Sequence, residues 1–456
     1  MELERDIYQN LLAWKGKKNR KVLELEGARQ VGKTYILDKF AKREYEKHIY
    51  INMLASSGSD FLRCLETAAK WEPGQKREEN PVYKAFQLYD CDFEDDDNLL
   101  VVIDEIQESS VVYSKIREFA RNFKAHFIVT GSYLGKTREK EYFLSAGDVE
   151  SLTMTTLTFP EFLDAFHKRE LYDSVGLYGE SDHAAYDELR SYFKIYLQIG
   201  GYPEVVTTYL ENENIQECIS VIDNLIRIFV KESSRYFEGP LELEMFEKVF
   251  SSIAITLLKE KKGTSDLTTD LTKIIFKEES GRIAKRTTNY AISWLYLSHQ
   301  IGYCSMSVDC SNLDIVDNCR YYFNDLGIAG HFLKLAGEPM SEIEGILCEN
   351  FVYLELVRRI RKGEIAGQVP WFATDKKTSG ELDFYVRSRV DHKDYGLEVK
   401  RGKNQANTAN VLLERGKLDY IYHLKNTYGG ISGRKYSVPL YLCGRVSFAM
   451  GKEDKN

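Results

Sequence analysis

A glycine-rich octapeptide near the N-terminus constrains the fold of this chain more than any other stretch. Residues 27–34 read Gly-Ala-Arg-Gln-Val-Gly-Lys-Thr, which matches the phosphate-binding pattern G-x-x-x-x-G-K-[ST]. The preceding residues 21–26 alternate in polarity like a strand, and residues 34–42 carry apolar side chains at helical spacing. The order of strand, loop and helix predicts a P-loop on an α/β sheet.

The residue types in this loop predict that it binds a nucleoside triphosphate. Gly27 and Gly32 permit backbone conformations that a Cβ atom forbids. The loop N–H groups and the positive end of the following helix would face the phosphates. In that arrangement Lys33 reaches the β- and γ-phosphates, and the Thr34 hydroxyl ligates Mg²⁺.

An apolar strand that ends in two carboxylates follows further along the chain. Residues 99–103 form a continuous apolar run, which is typical of a strand buried on both faces of a parallel sheet. Asp104, directly after it, is predicted to hold the Mg²⁺ shell, and Glu105 to polarise an attacking water. Together with the P-loop, this acidic strand end predicts hydrolysis of a nucleoside triphosphate.

The next apolar segment, residues 126–130, ends in hydroxyl side chains. Ligands bind at the carboxyl ends of parallel strands, so Thr130 or Ser132 is predicted to sense the γ-phosphate. A simple Ser/Thr turn is the alternative for either residue. The residues predicted to contact the nucleotide are Gly27, Ala28, Arg29, Gln30, Val31, Gly32, Lys33, Thr34, Tyr35 and Thr130.

Length, charge and cysteine content limit the class of protein. A chain of 456 residues predicts about three domains. Its formal net charge of −8 means that any nucleic-acid binding requires a local basic patch. The sequence contains no apolar run long enough to span a bilayer, and its eight cysteines form no C-x-x-C pair. We therefore expect a cytoplasmic protein with reduced thiols and no membrane partner.

The middle of the chain reads as helical. Residues 185–235 form a helical region that is broken at Gly-Gly-Tyr-Pro, residues 200–203, which indicates a small helical lid. Helices follow between residues 246 and 297, the last with Thr287 as its N-cap, and an apolar segment comes next at residues 301–304. This order resembles a winged helix.

A basic cluster accompanies this candidate winged helix. Its members are Lys273, Lys277, Arg282, Lys285 and Arg286. Thr288 and Asn289 open the helix that would read DNA. The alternative is that the module packs internally and its charges face solvent.

The C-terminal quarter reads as a separate α/β unit with carboxylates on neighbouring strands. In residues 381–386, period-two alternation puts Leu382, Phe384 and Val386 on one face and Asp383 on the other. In residues 396–400, Glu398 and Lys400 project together.

This pattern predicts a metal-nuclease site. Asp383 and Glu398 would bind Mg²⁺, which activates a water molecule, while Lys400 positions the nucleophile or stabilises the phosphorus centre. Glu349, from the preceding helix, would add a third carboxylate. The alternatives are a solvated strand face, or a domain that binds DNA without cutting it.

Taken in order, these motifs resemble a family of prokaryotic AAA-type ATPases of largely uncharacterised function. The segments that carry the resemblance are GARQVGKT (27–34), LLVVIDEIQ (99–107), VTGS (129–132), LTFPEFL (157–163), GGYPEV (200–205), YYFNDLG (321–327), GILCENFVYLEL (345–356), ELDFYV (381–386) and LEVKRGK (397–403).

The resemblance implies four parts in an α/β chain. These are an AAA-like P-loop NTPase domain with a parallel sheet (1–165), a helical lid (166–238), a winged-helix module (239–310) and a PD-(D/E)XK, restriction-endonuclease-like domain (311–456). It assigns ATP hydrolysis to Lys33, Thr34, Asp104 and Glu105, and the nuclease-like role to Asp383, Glu398 and Lys400.

One departure from the family concerns a basic residue near the phosphates. The family shows Gly-Arg after a small-residue turn, whereas this chain has Ala146-Gly147-Asp148. Arg138 or Arg235 would have to take the place of that arginine in stabilising the transition state.

We interpret the sequence as an ATP- and Mg²⁺-dependent ATPase whose nucleotide state controls a DNA-directed, nuclease-like domain. A first alternative is a nucleotide-switched regulatory protein whose C-terminal domain binds DNA or protein without cleavage. In that case Arg387 or Lys403 matters as much as Asp383. A second is a chaperone-like ATPase that remodels a protein partner. Adenine selectivity follows from the resemblance, and an oligomer is compatible with each reading.

Overall fold

The structure, a computed structural model, divides the chain into two compact units. The P-loop unit comprises Glu4–Thr156 and Leu297–His299, and the C-terminal unit comprises Met1–Leu3, Leu157–Tyr296 and Gln300–Asn456. The structure describes residues 2–70, 80–138, 142, 147–233, 248–254, 282–311, 315–335, 337, 339–400 and 407–453. Outside these lie the predicted residues Ala146, Arg235, Lys273, Lys277 and Lys403, and the side chains of Arg282, Lys285, Arg286 and Lys400 are likewise not described.

The P-loop unit is built on a five-stranded sheet in the order β2-β3-β4-β1-β5, in which every strand pair is parallel. Its strands are β1 Val22–Glu26, β2 Lys47–Asn52, β3 Leu99–Asp104, β4 His126–Thr130 and β5 Val149–Thr153. The strands are parallel and β4 lies between β1 and β3. The P-loop, which follows β1, and Asp104, at the end of β3, therefore lie at the same carboxyl end of the sheet. The predicted α/β fold with a P-loop NTPase sheet is confirmed.

The strand β3 is buried along its whole length. Val101 and Ile103 join an apolar cluster that includes Phe86 and Phe127, while Val102 is buried outside that cluster. The run is apolar throughout because the strand is covered on both faces, as predicted. The helices of this unit are α1 Ile7–Lys15, α2 Lys33–Glu44, α3 Ser56–Ala68, α4 Pro81–Tyr89, α5 Ser110–Tyr113 and α6 Ile116–Asn122.

The C-terminal unit contains a mixed eight-stranded sheet in the order β12-β13-β11-β10-β9-β8-β6-β7. Its strands are β6 Ile301–Val308, β7 Ile315–Phe323, β8 Trp371–Thr374, β9 Glu381–Arg387, β10 Asp394–Lys400, β11 Tyr420–Lys425, β12 Gly430–Ser432 and β13 Lys435–Pro439. In the described part of the chain, the helices after residue 156 include α7 Phe159–Ala165, α8 Arg169–Ser174, α9 His183–Ile199, α10 Pro203–Asn212, α11 Ile215–Ser233, α12 Arg282–Leu297, α13 Leu326–Leu335, α14 Met340–Arg361, α15 Asn407–Glu414 and α16 Met450–Glu453.

The candidate winged helix differs from its prediction in three ways. Helix α12 begins at Arg282 rather than at Thr287, since residues 282–286 are mostly good helix formers. Thr288, predicted to open a DNA-reading helix, is completely buried. The expected wing at residues 301–304 lies in β6, which pairs with β7 and β8 of the larger sheet. The four-part division into domains stays a prediction.

The last residue of the edge strand β7 in the large sheet is capped by a side chain. Strand β7 lies at the end of the sheet, and the buried Asn350 of α14 pairs with its last residue. Asn350 Oδ1 accepts a hydrogen bond from Phe323 N at 3.0 Å, and Asn350 Nδ2 donates to Phe323 O at 2.7 Å. The amide thus satisfies backbone groups that a further strand would otherwise pair with.

The Gly-Gly-Tyr-Pro break predicted to serve a lid is held by one buried carboxylate, that of Asp325. Gly201 N donates to Asp325 Oδ2 at 2.8 Å. Gly327 N and Ile328 N donate to Asp325 Oδ1 at 2.8 and 3.1 Å, which caps α13. A Cβ atom on Gly200, whose φ is +72°, would lie 2.3 Å from Asp325 Oδ1. The glycine at position 200 is therefore required by the close approach of Asp325.

Among the described helices, none is long and apolar enough to cross a membrane.

Candidate functional site

The P-loop between β1 and α2 depends on glycine at two positions. Gly27 has a φ of +145°, and a Cβ atom there would lie 2.2 Å from the Met154 carbonyl oxygen. Gly32 precedes α2 with a φ of +96° in the left-handed region, which glycine adopts without strain. The loop therefore has the close-packed backbone that phosphate binding requires. Ala28 and Val31 are buried within it.

The Lys33 side chain folds back over this loop. Its Nζ donates to the carbonyl oxygens of Gly27 at 2.7 Å and Ala28 at 2.8 Å. A second cation supports the loop from the N-terminal segment, because Arg5 Nη1 donates to Val31 O at 2.9 Å and Nη2 donates to Thr155 O at 2.6 Å. Sequence reasoning missed Arg5, since a single arginine in an acidic N-terminus gives no signal.

Three oxygen-bearing side chains meet beside the loop. Thr34 Oγ1 lies 3.5 Å from Asp104 Oδ2, and the Tyr50 hydroxyl donates to the same carboxylate oxygen. Burial is the main cause that raises the pKa of Asp104, and the Tyr50 hydrogen bond opposes it. A hydroxyl and a carboxylate oxygen at this spacing are the ligand types that Mg²⁺ prefers, so Thr34 and Asp104 fit the predicted metal.

Glu105 is held at the carboxyl edge of β4. It adopts a φ of +52°, which is uncommon for a residue with a side chain. Its Oε2 accepts hydrogen bonds from Ser132 N at 3.1 Å, Ser132 Oγ at 2.9 Å and Gln107 Nε2 at 2.5 Å. Gln107 is fully buried and was not identified from the sequence. The three donors fix the carboxylate at the edge where the P-loop also ends.

Thr130 does not take the role predicted for it. It is completely buried, and its Oγ1 donates to Leu25 O at 2.8 Å. Because β4 pairs with β1, this hydroxyl satisfies a carbonyl group of the neighbouring strand instead of facing a ligand. Of the two hydroxyl residues left open at this strand end, Ser132 is the one that contacts Glu105.

The remaining predicted nucleotide contacts lie around the mouth of the loop. Gln30 is exposed with a φ of +65°, and Arg29 is half-buried. Tyr35, in the first turn of α2, is 55% exposed. At the end of β1, His299 Nε2 lies 3.6 Å from Glu26 Oε2. A residue far along the chain thus contacts the strand end that leads into the P-loop.

In the C-terminal unit, Asp383 and Glu398 come from paired strands. The antiparallel register of β9 and β10 pairs Leu397 with Phe384, and Val399 N donates to Asp383 Oδ2 at 2.7 Å. Glu398 is 3% exposed and is a register partner of His423 on β11. The structure therefore brings these two carboxylates to the same part of the sheet. The structure also places His423 beside Glu398 in the strand register, which the sequence spacing did not indicate.

The simple alternation predicted for β9 is wrong. Leu382 and Tyr385 belong to one apolar cluster, whereas the Phe384 ring packs 6.2 Å from the Tyr322 ring. The cause is an irregularity in the β8–β9 register between Trp371 and Ala373. Such an irregularity shifts which side chains share a face.

Glu349, predicted as a third metal ligand, lies in a charged cluster. Tyr322 donates a hydrogen bond to Glu349 Oε1 at 2.6 Å, and Arg320 Nη1 lies 3.6 Å from the same oxygen. Arg320 also pairs with Glu381, whose pKa is raised chiefly by burial. These partners occupy the Glu349 carboxylate oxygen and would compete with a metal ion for it. Lys400 lies in β10, where its backbone is in register with Lys425.

Comparison with known protein families identifies two regions. Residues 19–163 match the AAA domain, and residues 190–338 match a domain of unknown function, DUF8612. The first match covers the whole P-loop site, from β1 to the strand after Ser132. It identifies the P-loop unit as an AAA-type nucleotide-binding domain. No curated protein matches this chain.

Solved structures of archaeal proteins are similar to part of this chain. The Aeropyrum pernix ORC1 protein in complex with DNA is 14% identical, covering 76% of this chain and 93% of that one with a TM-score of 0.29. The Aeropyrum pernix ORC2 protein, solved as ADPNP–ADP complexes, is 14% identical over 75% and 91% with a TM-score of 0.32. Cdc6p from Pyrobaculum aerophilum is 12% identical over 75% and 93% with a TM-score of 0.25. Because all three TM-scores are below 0.5, the assignment of the P-loop unit depends on the AAA domain match at residues 19–163.

Proposed function

We propose that this chain binds ATP with Mg²⁺ at the P-loop and hydrolyses it. The observation that carries the proposal is the arrangement at one sheet edge. A lysine on the loop carbonyls, a Thr34–Asp104 oxygen pair and a fixed Glu105 carboxylate lie on adjoining strand ends. Each supplies one requirement of phosphoryl transfer, namely charge, metal ligation and orientation of water.

The loop residues bind and neutralise the triphosphate. Lys33 exchanges its carbonyl partners on Gly27 and Ala28 for phosphate oxygens, and the loop N–H groups surround the phosphates. Thr34 and Asp104 would hold Mg²⁺, which when bound neutralises phosphate charge. This places the reacting phosphate beside the end of β3.

Glu105 orients the attacking water and accepts its proton. The hydrogen bonds that Ser132 and Gln107 donate hold the Glu105 side chain in the rotamer that keeps its carboxylate in the site. The Ser132 hydroxyl, predicted to sense the γ-phosphate, also donates to Glu105. A change at the γ-phosphate position is therefore coupled through this hydroxyl to the rotamer of Glu105.

Substitution of Lys33 by alanine tests nucleotide binding. We expect the affinity for a fluorescent ATP analogue with Mg²⁺ to fall about tenfold to a hundredfold, because charge-assisted hydrogen bonds to phosphate are lost. Fluorescence anisotropy measures the change. The control is Lys42→Ala on the same helix, an exposed lysine paired with Asp38, for which affinity stays within about twofold. Equal affinities for the two variants would sink the proposal.

We also propose that the nucleotide state controls a DNA-directed C-terminal unit. The position of Asp383 and Glu398 on the paired strands β9 and β10 supports a metal-dependent nuclease site there. The second candidate function is a nucleotide-switched regulator that binds DNA or protein without cleavage. The engagement of Glu349 by Arg320 and Tyr322 favours it, since this removes one candidate metal ligand.

Incubation with linear and supercoiled DNA, in Mg²⁺ or Mn²⁺ and with ATP, separates these two candidates. For a nuclease we expect cleavage that is lost in Asp383→Ala, by at least about a hundredfold. Cleavage that is also lost in Lys33→Ala supports control by the nucleotide, whereas cleavage retained in Lys33→Ala would establish an autonomous nuclease. Gel electrophoresis reads the products. If neither metal supports cleavage while ATP-dependent DNA retention is seen in a mobility-shift assay, the unit is a non-cleaving switch.

A further inference from the structure

Tyr50 reaches into the predicted metal site from a strand that sequence reasoning did not connect with it. It lies near the end of β2, in register with Val102 of β3. Its hydroxyl donates to Asp104 Oδ2, the same oxygen that lies 3.5 Å from Thr34 Oγ1. The phenol therefore contacts the carboxylate on the side that faces the P-loop.

The Tyr50 side chain is not locked by core packing. It is 39% exposed, so its ring can leave Asp104 without opening a cavity in the core. By contrast, the fully buried Ile51 beside it fixes the backbone of β2. A hydroxyl on a partly exposed ring is suited to a contact that is made in one state of the site and broken in another.

The oxygen that Tyr50 contacts has limited capacity. A carboxylate oxygen offers about two acceptor positions, and on Asp104 Oδ2 these face the Tyr50 and Thr34 hydroxyls. When Thr34 turns its oxygen to a metal ion, the shell of that ion needs the same Asp104 oxygen. The Tyr50 hydroxyl therefore stands where a ligand or water of the metal shell would bind.

We propose that Tyr50 is a positioning residue that competes with the magnesium shell for Asp104 and so sets the metal requirement of nucleotide binding. The inference rests on the proposed function, ATP–Mg²⁺ binding at the P-loop. With its hydroxyl in place, Tyr50 keeps the buried carboxylate hydrogen-bonded while the site is empty. Its release from Asp104 accompanies metal binding.

The test is a magnesium titration of the binding of a fluorescent ATP analogue to full-length protein. In Tyr50→Phe we expect the Mg²⁺ concentration for half-maximal binding to fall about threefold to tenfold, the net scale of one typical hydrogen bond. Affinity in EDTA is unchanged, because the substitution leaves Lys33 and the loop backbone, which bind the phosphates, as they are. The control is Tyr8→Phe, which removes a phenol–carboxylate hydrogen bond to Glu44 elsewhere in the unit and leaves the magnesium midpoint unchanged.

The outcomes separate the two levels of inference. If the unaltered protein binds the analogue with Mg²⁺ but Tyr50→Phe has the same midpoint, competition by Tyr50 is wrong and the proposed function stands. A higher midpoint in Tyr50→Phe also overturns it, since the hydroxyl then supports the metal site. If the unaltered protein binds no nucleotide with or without Mg²⁺, both fail together. Thermal melting of Tyr50→Phe, with the ring retained, checks that the fold is intact.

Discussion

Replacement of Glu105 by glutamine is expected to slow ATP hydrolysis about a hundredfold to a thousandfold while ATP binding stays within about twofold of the unaltered protein. The amide cannot accept a proton from water, although its carbonyl oxygen can still accept the hydrogen bonds from Ser132 and Gln107 that now serve the carboxylate. The phosphate loop and the Thr34–Asp104 pair are unaffected. Steady-state phosphate release measures hydrolysis, and anisotropy of a fluorescent analogue measures binding.

The matched control is Glu108→Gln, in the same short helical turn after β3. It removes one charge from the same segment without touching the Ser132 contact, so hydrolysis should change by less than about threefold. Similar losses in the two variants would show that net charge at this edge matters and would remove Glu105 from the catalytic role. A parallel loss of binding in Glu105→Gln would instead place it among the nucleotide-holding residues.

Substitution of Asp325 by alanine is expected to lower the free energy of unfolding of the C-terminal unit by about 3–5 kcal/mol. Asp325 is 3% exposed and accepts hydrogen bonds from the backbone N–H groups of Gly201, Gly327 and Ile328. Alanine leaves these donors buried without that acceptor. Urea denaturation, followed by the midpoint of the transition in the full-length chain, measures the loss.

An exposed aspartate at another helix start provides the comparison. Asp182 caps α9 through a hydrogen bond from Ala184 N at 3.4 Å, and its removal should cost only about 0.5–1 kcal/mol. Equal costs at the two positions would mean that Asp325 acts as an ordinary helix cap. In that case the junction between the Gly-Gly-Tyr-Pro break and α13 would contribute little to stability.

Local motifs allowed the P-loop unit to be predicted because each depends on a few adjacent residues. The strand–loop–helix around Gly27–Thr34 and the run before Asp104 carry their own periodicity, and the parallel sheet follows from them. The choice between Thr130 and Ser132 required the strand order. Only the pairing of β4 with β1 explains why the Thr130 hydroxyl turns to Leu25.

The C-terminal unit shows the limit of period-two reasoning. Strands β9 and β10 were predicted close to their positions. The faces of β9 were not, because a register irregularity against β8 depends on residues from another segment. The contact of Tyr50 with Asp104 and the support of the P-loop by Arg5 share this cause. Each joins positions that are distant in the chain and carries no local signature.

The contact between His299 and Glu26 has a consequence for the order in which the chain folds. The P-loop unit contains Glu4–Thr156 and also Leu297–His299, so a ribosome must synthesise residues 157–296 before the last part of this unit exists. The parallel sheet can form early during translation, but the strand end that leads into the phosphate loop acquires its histidine neighbour only after much of the second unit has emerged. The contact between His299 and Glu26 is therefore formed late in biosynthesis, although the glycine-rich motif that follows Glu26 is among the first segments made.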